Sequence, residues 1–402
     1  MTTHDVIIIG GGPAGTSTAI TLAARGARVL VLEEKRMPRP KLCGEFITPE
    51  SFPTLERLQV MAAMRGAGAQ RLTRLSLVVA SGKRVETPLA AMSVVADYAL
   101  SLSRARFDQI LFERARSAGA DCREGVAVKQ CITENGQAHG VEALSLADGK
   151  VVRYDAPLIV DASGRNSRLM VNRDERRAGP RGSRLYGLKA HLANVRGINE
   201  QVELYFFPQG YGGLSLVEGG LVNLCFIADE RTFRAAGGDP AKIVEQSVKR
   251  NPLARERLRD AEVVGKWHSV GPLVFGHRRL SQGGVLAVGD ASGMIDPFTG
   301  TGIQIALRTG ELAATAILRA MDESRAAQHV NLFERALALY AEAYAREFGK
   351  RMKVAGWLRR AALSPAVAGP VARLLAWSPA LTRRVLRATR SGGVTAASHS
   401  RA

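Results

Sequence analysis

The run Gly10-Gly11-Gly12-Pro13-Ala14-Gly15, followed by an acid at Glu33, is the first place where residue types and spacing point to chemistry. Gly10 permits a tight turn, Gly12 lets the backbone approach a diphosphate, and Gly15 lets a helix pack closely on a strand. Pro13 and Ala14 complete the turn into a helix, whose free amides and partial positive charge suit phosphate groups. Glu33 would accept hydrogen bonds from the hydroxyls of a nucleotide ribose. Such a turn suits a nicotinamide or a flavin dinucleotide equally.

The segment from Gly289 to Gly302, Gly-Asp-Ala-Ser-Gly-Met-Ile-Asp-Pro-Phe-Thr-Gly-Thr-Gly, separates these two ligands. Asp290, at the C-terminal end of a strand, could hydrogen-bond a sugar-alcohol chain, which only the flavin nucleotide carries. Gly300 and Gly302 open a second helix whose amides could face the flavin pyrimidine ring. A positive helix end there would stabilise the negative charge that develops on reduction. Pro297, Gly300 and Gly302 are therefore expected at the reaction face, and Gly289, Asp290 and Thr301 beside the cofactor. An oxidoreductase using FAD is the reading.

Elements must bring these distant stretches together. Val6-Ile7-Ile8-Ile9 is a β-branched run expected of a strand buried on both faces of a parallel sheet. An alanine-rich helix over 16–25 and a strand over 28–32 complete a strand, glycine turn, helix, strand unit. A helix over 106–117, buried strands at 158–160 and 284–288, and a long helix over 302–318 extend it. Between 183 and 267 the pattern alternates, with Gly210, Gly212, Gly213, Gly219 and Gly220 as turns, which predicts antiparallel sheet. The fold class is α/β: a Rossmann-like domain with an inserted antiparallel β-sheet substrate lobe and a C-terminal helical extension. The expected division is a discontinuous dinucleotide domain (1–70, 97–180 and 280–345), a β-rich substrate lobe (71–96 and 181–279), a helical region (346–390) broken by Pro365, Pro370 and Pro379, and a disordered tail (391–402).

Of the 402 residues, 56 are Lys or Arg and 37 Asp or Glu, a net +19 that favours anionic partners. No zinc-finger or RNA-recognition spacing accompanies it, so nucleic-acid binding is not expected. Cys43, Cys122, Cys131 and Cys225 form no CxxC pair, and no signal or membrane-spanning run is visible, which reads as a cytoplasmic chain. Basic residues collect toward the C-terminus, where contact with an anionic membrane is conceivable, although a basic cover over the lobe accounts for them too.

Together with Asp161-Ala162-Ser163-Gly164, followed by Arg165 and Ser167, the two segments resemble the three fingerprints of the para-hydroxybenzoate hydroxylase superfamily of FAD-dependent oxidoreductases. Arg104-Ala105-Arg106-Phe107-Asp108 is similar to the family's helix start, whose arginine lies near the FAD diphosphate. Lys41-Leu42-Cys43-Gly44-Glu45 is similar to the Lys-x-Cys-Gly loop of geranylgeranyl reductases, which the simple aromatic hydroxylases usually lack, so the resemblance is nearest to the geranylgeranyl reductase-like and monooxygenase branch. The resemblance implies a Rossmann-like domain of the GR2 type and adds Cys43, Gly44, Arg104, Val128, Asp161 and Gly164 to the cofactor residues. The Tyr-x-Trp-x-Phe-Pro stretch of prenyl reductases is absent, the corresponding residues being 207–214, and the Trp-x-Trp-x-Ile-Pro signature of halogenases is missing.

No second glycine fingerprint follows a strand, so NAD(P)H would act as a transient electron donor. With oxygen, the enzyme would be a monooxygenase that hydroxylates a hydrophobic aromatic or polyketide-like small molecule, which is the first expectation. The alternative is reduction of a carbon–carbon double bond, which needs a proton donor; Cys43 and Glu45 are candidates. A flavin-bearing or lipid-surface protein without enzymatic activity is a remoter third. Tyr211 could orient substrate, His191 and His277 read as structural, and no metal is expected.

Overall fold

A computed structural model describes residues 4–167, 169–170, 184–273, 275–294, 300–327 and 331–363. Its first sheet has six strands in the order Ser281–Gln282, Val285–Ala287, Leu158–Asp161, Val6–Ile9, Val29–Glu33 and Asp121–Glu124. All neighbours are parallel except the Ser281–Gln282 edge. Val6 and Ile8 pack into the helical layer while Ile7 and Ile9 pack beneath the three-stranded sheet of residues 126–155. This two-sided burial explains the unbroken apolar run, each such side chain stabilising by about 1.5–3 kcal/mol.

The helix after the glycine turn spans Pro13–Ala23 and starts three residues before the alanine-rich stretch suggests. Proline needs no amide partner in a first turn, and Gly12 caps it in extended conformation. The long helix Gly302–Ala326 lies across it at Gly310, where an added Cβ would sit 2.3 Å from the Ala14 carbonyl oxygen. Ser17 Oγ donates to the Leu307 carbonyl at 2.7 Å and Thr18 Oγ1 to that of Gly310 at 3.2 Å. This crossing brings the segment after residue 289 against the N-terminal glycine turn.

The second sheet has seven strands, ordered Glu262–Leu273, Leu185–Ala193, Val222–Asp229, Gly210–Leu216, Gln201–Phe207, Arg74–Val78 and Arg84–Pro88. One face sends Leu188, Ala190, Leu192, Leu224 and Phe226 into an apolar cluster with Ile243, Val248 and Leu258. Side chains between them, including Lys189, His191, Asn223 and Cys225, occupy the opposite face, as strand alternation requires. A helix over Leu332–Leu363 packs on the Gly302–Ala326 helix and runs through 345/346, where the sequence suggests a division. Pro297, the proline-punctuated stretch after 363 and the tail 391–402 lie outside the described residues.

Candidate active site

Gly10 holds a φ of 104°, a left-handed turn that glycine tolerates. A Cβ on Gly15 would lie 2.0 Å from the Gly10 carbonyl oxygen, so strand end and helix start touch there. Gly12 faces open space: its Cβ would meet only Arg39 Nη2, at 3.8 Å. Glu33 is buried and accepts from the Gly11 amide at 2.8 Å, the Lys35 amide at 3.0 Å and Arg39 at 3.2 Å. Arg39 also faces Asp108 at 3.5 Å, and its buried Nε has no hydrogen-bond partner among the described residues.

Cations crowd this mouth. Arg104 is buried and makes a two-pronged pair with Asp108 at 2.6 and 2.7 Å. Burial, then the Arg39 and Arg104 guanidinium groups, lower Lys41 to about 8. Asp290 sits in the turn after the Val285–Ala287 strand; burial pushes its carboxyl up while Lys41, Arg104, Arg165 and Arg278 pull it down. Gly289 is left-handed, and its Cβ would lie 2.8 Å from the Ala14 Cβ, so Asp290 is delivered to the start of the first helix. Gly300, also left-handed, approaches the Phe46 ring, and the helix opens at Gly302 with Thr301 as a cap residue lacking a side-chain cap bond.

Beneath the Cys43 loop lies a buried ionic cluster. The Glu45 carboxylate accepts from the Arg104 amide at 2.7 Å, from the Lys189 ammonium and from His191 Nε2 at 2.6 Å. Asn223 donates to the Cys43 carbonyl at 3.1 Å, Ser215 to that of Gly44 at 3.4 Å and Lys189 to that of Lys41 at 3.3 Å. The loop is thus stapled to the inner face of the seven-stranded sheet. Along that face follow Leu185, Tyr211, Ile227, Val270 and Leu273, packed with Phe275 and with Met294 from the Asp290 segment. The buried ionic cluster and the apolar patch follow one another along the same face of the sheet.

A family described as the FAD binding domain matches residues 3–346, a stretch that includes both the glycine turn and the Asp290 segment. The chain belongs to this FAD-binding family. Digeranylgeranylglycerophospholipid reductase 2 of Methanopyrus kandleri is 28% identical over 373 residues, covering 87% of this chain and 84% of its own length. Menaquinone reductase of Mycolicibacterium smegmatis is 26% identical, covering 78% and 76%. The solved flavin-dependent brominase Bmp2 superposes with a TM-score of 0.76 over 96% of this chain and 93% of its own, at 19% identity, which speaks for the fold.

The observed site suits the cofactor of that family: an open cradle over Gly12, an orphan guanidinium donor at its rim and a lysine lowered by burial and by the neighbouring guanidinium groups would all be relieved by a diphosphate. Gly10, Gly12, Pro13, Ala14, Gly15, Glu33, Arg104, Gly289 and Asp290 gather around the mouth. Asp161 differs in kind. Its carboxylate is consumed by the Ser163 amide and hydroxyl, at 2.9 and 2.6 Å, and by the Ser167 hydroxyl, so it shapes the turn that carries left-handed Gly164. Val128 lies half-buried under the sheet with Ile9 and Leu32. Pro297 lies outside the described residues.

No sequence motif marks Arg39, Lys189 or Asn223, and His191 reads as structural because its partner Glu45 is 146 positions away. A usable signal existed in the strand Leu188-Lys189-Ala190-His191-Leu192, whose polar residues at alternate positions share one face.

Proposed function

We propose that this FAD-dependent oxidoreductase reduces a double bond in a hydrophobic substrate, with NAD(P)H as transient donor. The observation that carries the reading is the meeting of the apolar patch with the ionisable group of Glu45, Lys189 and His191 on one sheet face. Bound FAD supplies electrons as hydride. Reduction then needs an apolar surface to seat the acceptor and a proton source beside it; Leu185, Ile227, Val270 and Leu273 offer the first and the cluster the second. The Cys43 loop and the reductases among the relatives support the same reading.

A second reading, hydroxylation, is favoured by two observations: residues 207–214 lack the prenyl-reductase stretch, and Tyr211 stands among apolar residues where a ring would stack. Incubating yellow protein with NADPH and a hydrophobic substrate panel under argon and under air separates the two. Product gaining two hydrogens under argon is expected; product gaining one oxygen, only in air and with matching oxygen uptake, replaces reduction by hydroxylation.

A further inference from the structure

Glu45 is fully buried, sits at a φ of 57° that few non-glycine residues adopt, and faces three donors. Lys189 and the Arg104 amide hold one oxygen and His191 Nε2 the other. With Nε2 committed, Nδ1 is the His191 nitrogen left for proton exchange. The Lys189 side chain is 2% exposed and that of Glu45 not at all, whereas His191 is 24% exposed, so the imidazole is the member of the cluster that solvent or substrate can reach.

We propose that His191 is the acid–base residue that supplies the substrate's proton, with Glu45 and Lys189 as the residues that position it. This rests on the reductase reading. The substrate gains a hydride from reduced cofactor and a proton from the His191 imidazolium; the imidazole left behind regains its proton from water, and the cofactor returns to its oxidised form. The ionisable groups around His191 are Glu45 from the loop, Lys189 on its own strand, and Lys266 and His268 on the neighbouring strand; Asn223 and Cys225 flank them. Burial, with repulsion from Lys189, Lys266 and His191, lowers His268 below its usual value.

The test uses holoprotein reduced anaerobically and mixed with menadione, following return of the flavin absorbance across neutral pH. His191→Gln should keep its FAD, slow reoxidation about 100-fold and lose the pH dependence. Imidazole should partly restore His191→Gly. Glu45→Gln should keep its FAD and slow reoxidation less than His191→Gln does, because the ring loses the group that orients it and not its own nitrogen. If His191→Gln matches the parent in rate and pH profile, the assignment falls while the reductase reading stands. If both variants merely lose flavin or stability and imidazole restores nothing, the cluster is only a clamp and the assignment falls. If menadione fails to reoxidise even the parent protein under argon while air does, the reductase reading fails and takes the assignment with it.

Discussion

Lys41 is buried beside Arg39 and Arg104 near the glycine turn. Its ordinary value is 10.5 and burial lowers it to about 8, so the cost of burying its charge is fully present below about 8 and is relieved as pH rises toward 10.5. Lys41→Met should therefore stabilise the FAD-free protein most below about pH 8, and urea melts at several pH values would show it. An anionic diphosphate reverses the balance: it favours the charged lysine, so FAD affinity should weaken as pH passes about 8, by fluorescence titration. Two glycines allow a sharper contrast. Gly12→Val should fold normally yet stay colourless, because its side chain meets open space that the diphosphate needs; Gly15→Ala should damage the fold itself, its Cβ falling 2.0 Å from a carbonyl oxygen. Circular dichroism beside visible absorbance distinguishes the two; a yellow Gly12→Val protein would refute the placement of the phosphate turn.

The crossing of the Pro13–Ala23 and Gly302–Ala326 helices joins the two cofactor segments. Gly310→Val would force them apart, costing about 1–3 kcal/mol, and should weaken FAD binding although residue 310 lies outside the predicted cofactor residues; paired unfolding and flavin titrations check it. Helix type was legible in both segments, because Pro13 after the glycine turn and the apolar periodicity after Gly302 are local signals. The early start at Pro13 and the run through to Ala326 were less so, since packing between helices decides where such elements end.

The whole molecule carries a net +19, and residues 364–402 hold Arg373, Arg383, Arg384, Arg387, Arg390 and Arg401 without a single carboxylate. Among the described residues no helix is long and apolar enough to cross a membrane. We propose that the basic end contacts anionic lipid: the full chain should co-sediment with anionic phospholipid vesicles and not with neutral ones, and salt should weaken the association. A chain ending at Leu363 should lose it; equal binding by both would place the contact elsewhere.

Local chemistry wrote the dinucleotide turn, the buried parallel strands and the alternating lobe into the sequence, because glycine conformations and apolar periodicity act within a few residues. Even the pairing of Gly10–Gly15 with Gly289–Gly302 was readable, since each half matches one end of a single ligand. The joining of Glu45 with Lys189 and His191 was not. Nothing local marks a contact across 144 and 146 positions; only the docking of the loop on one face of the second sheet sets which buried carboxylate meets which imidazole, and so where a proton can be held.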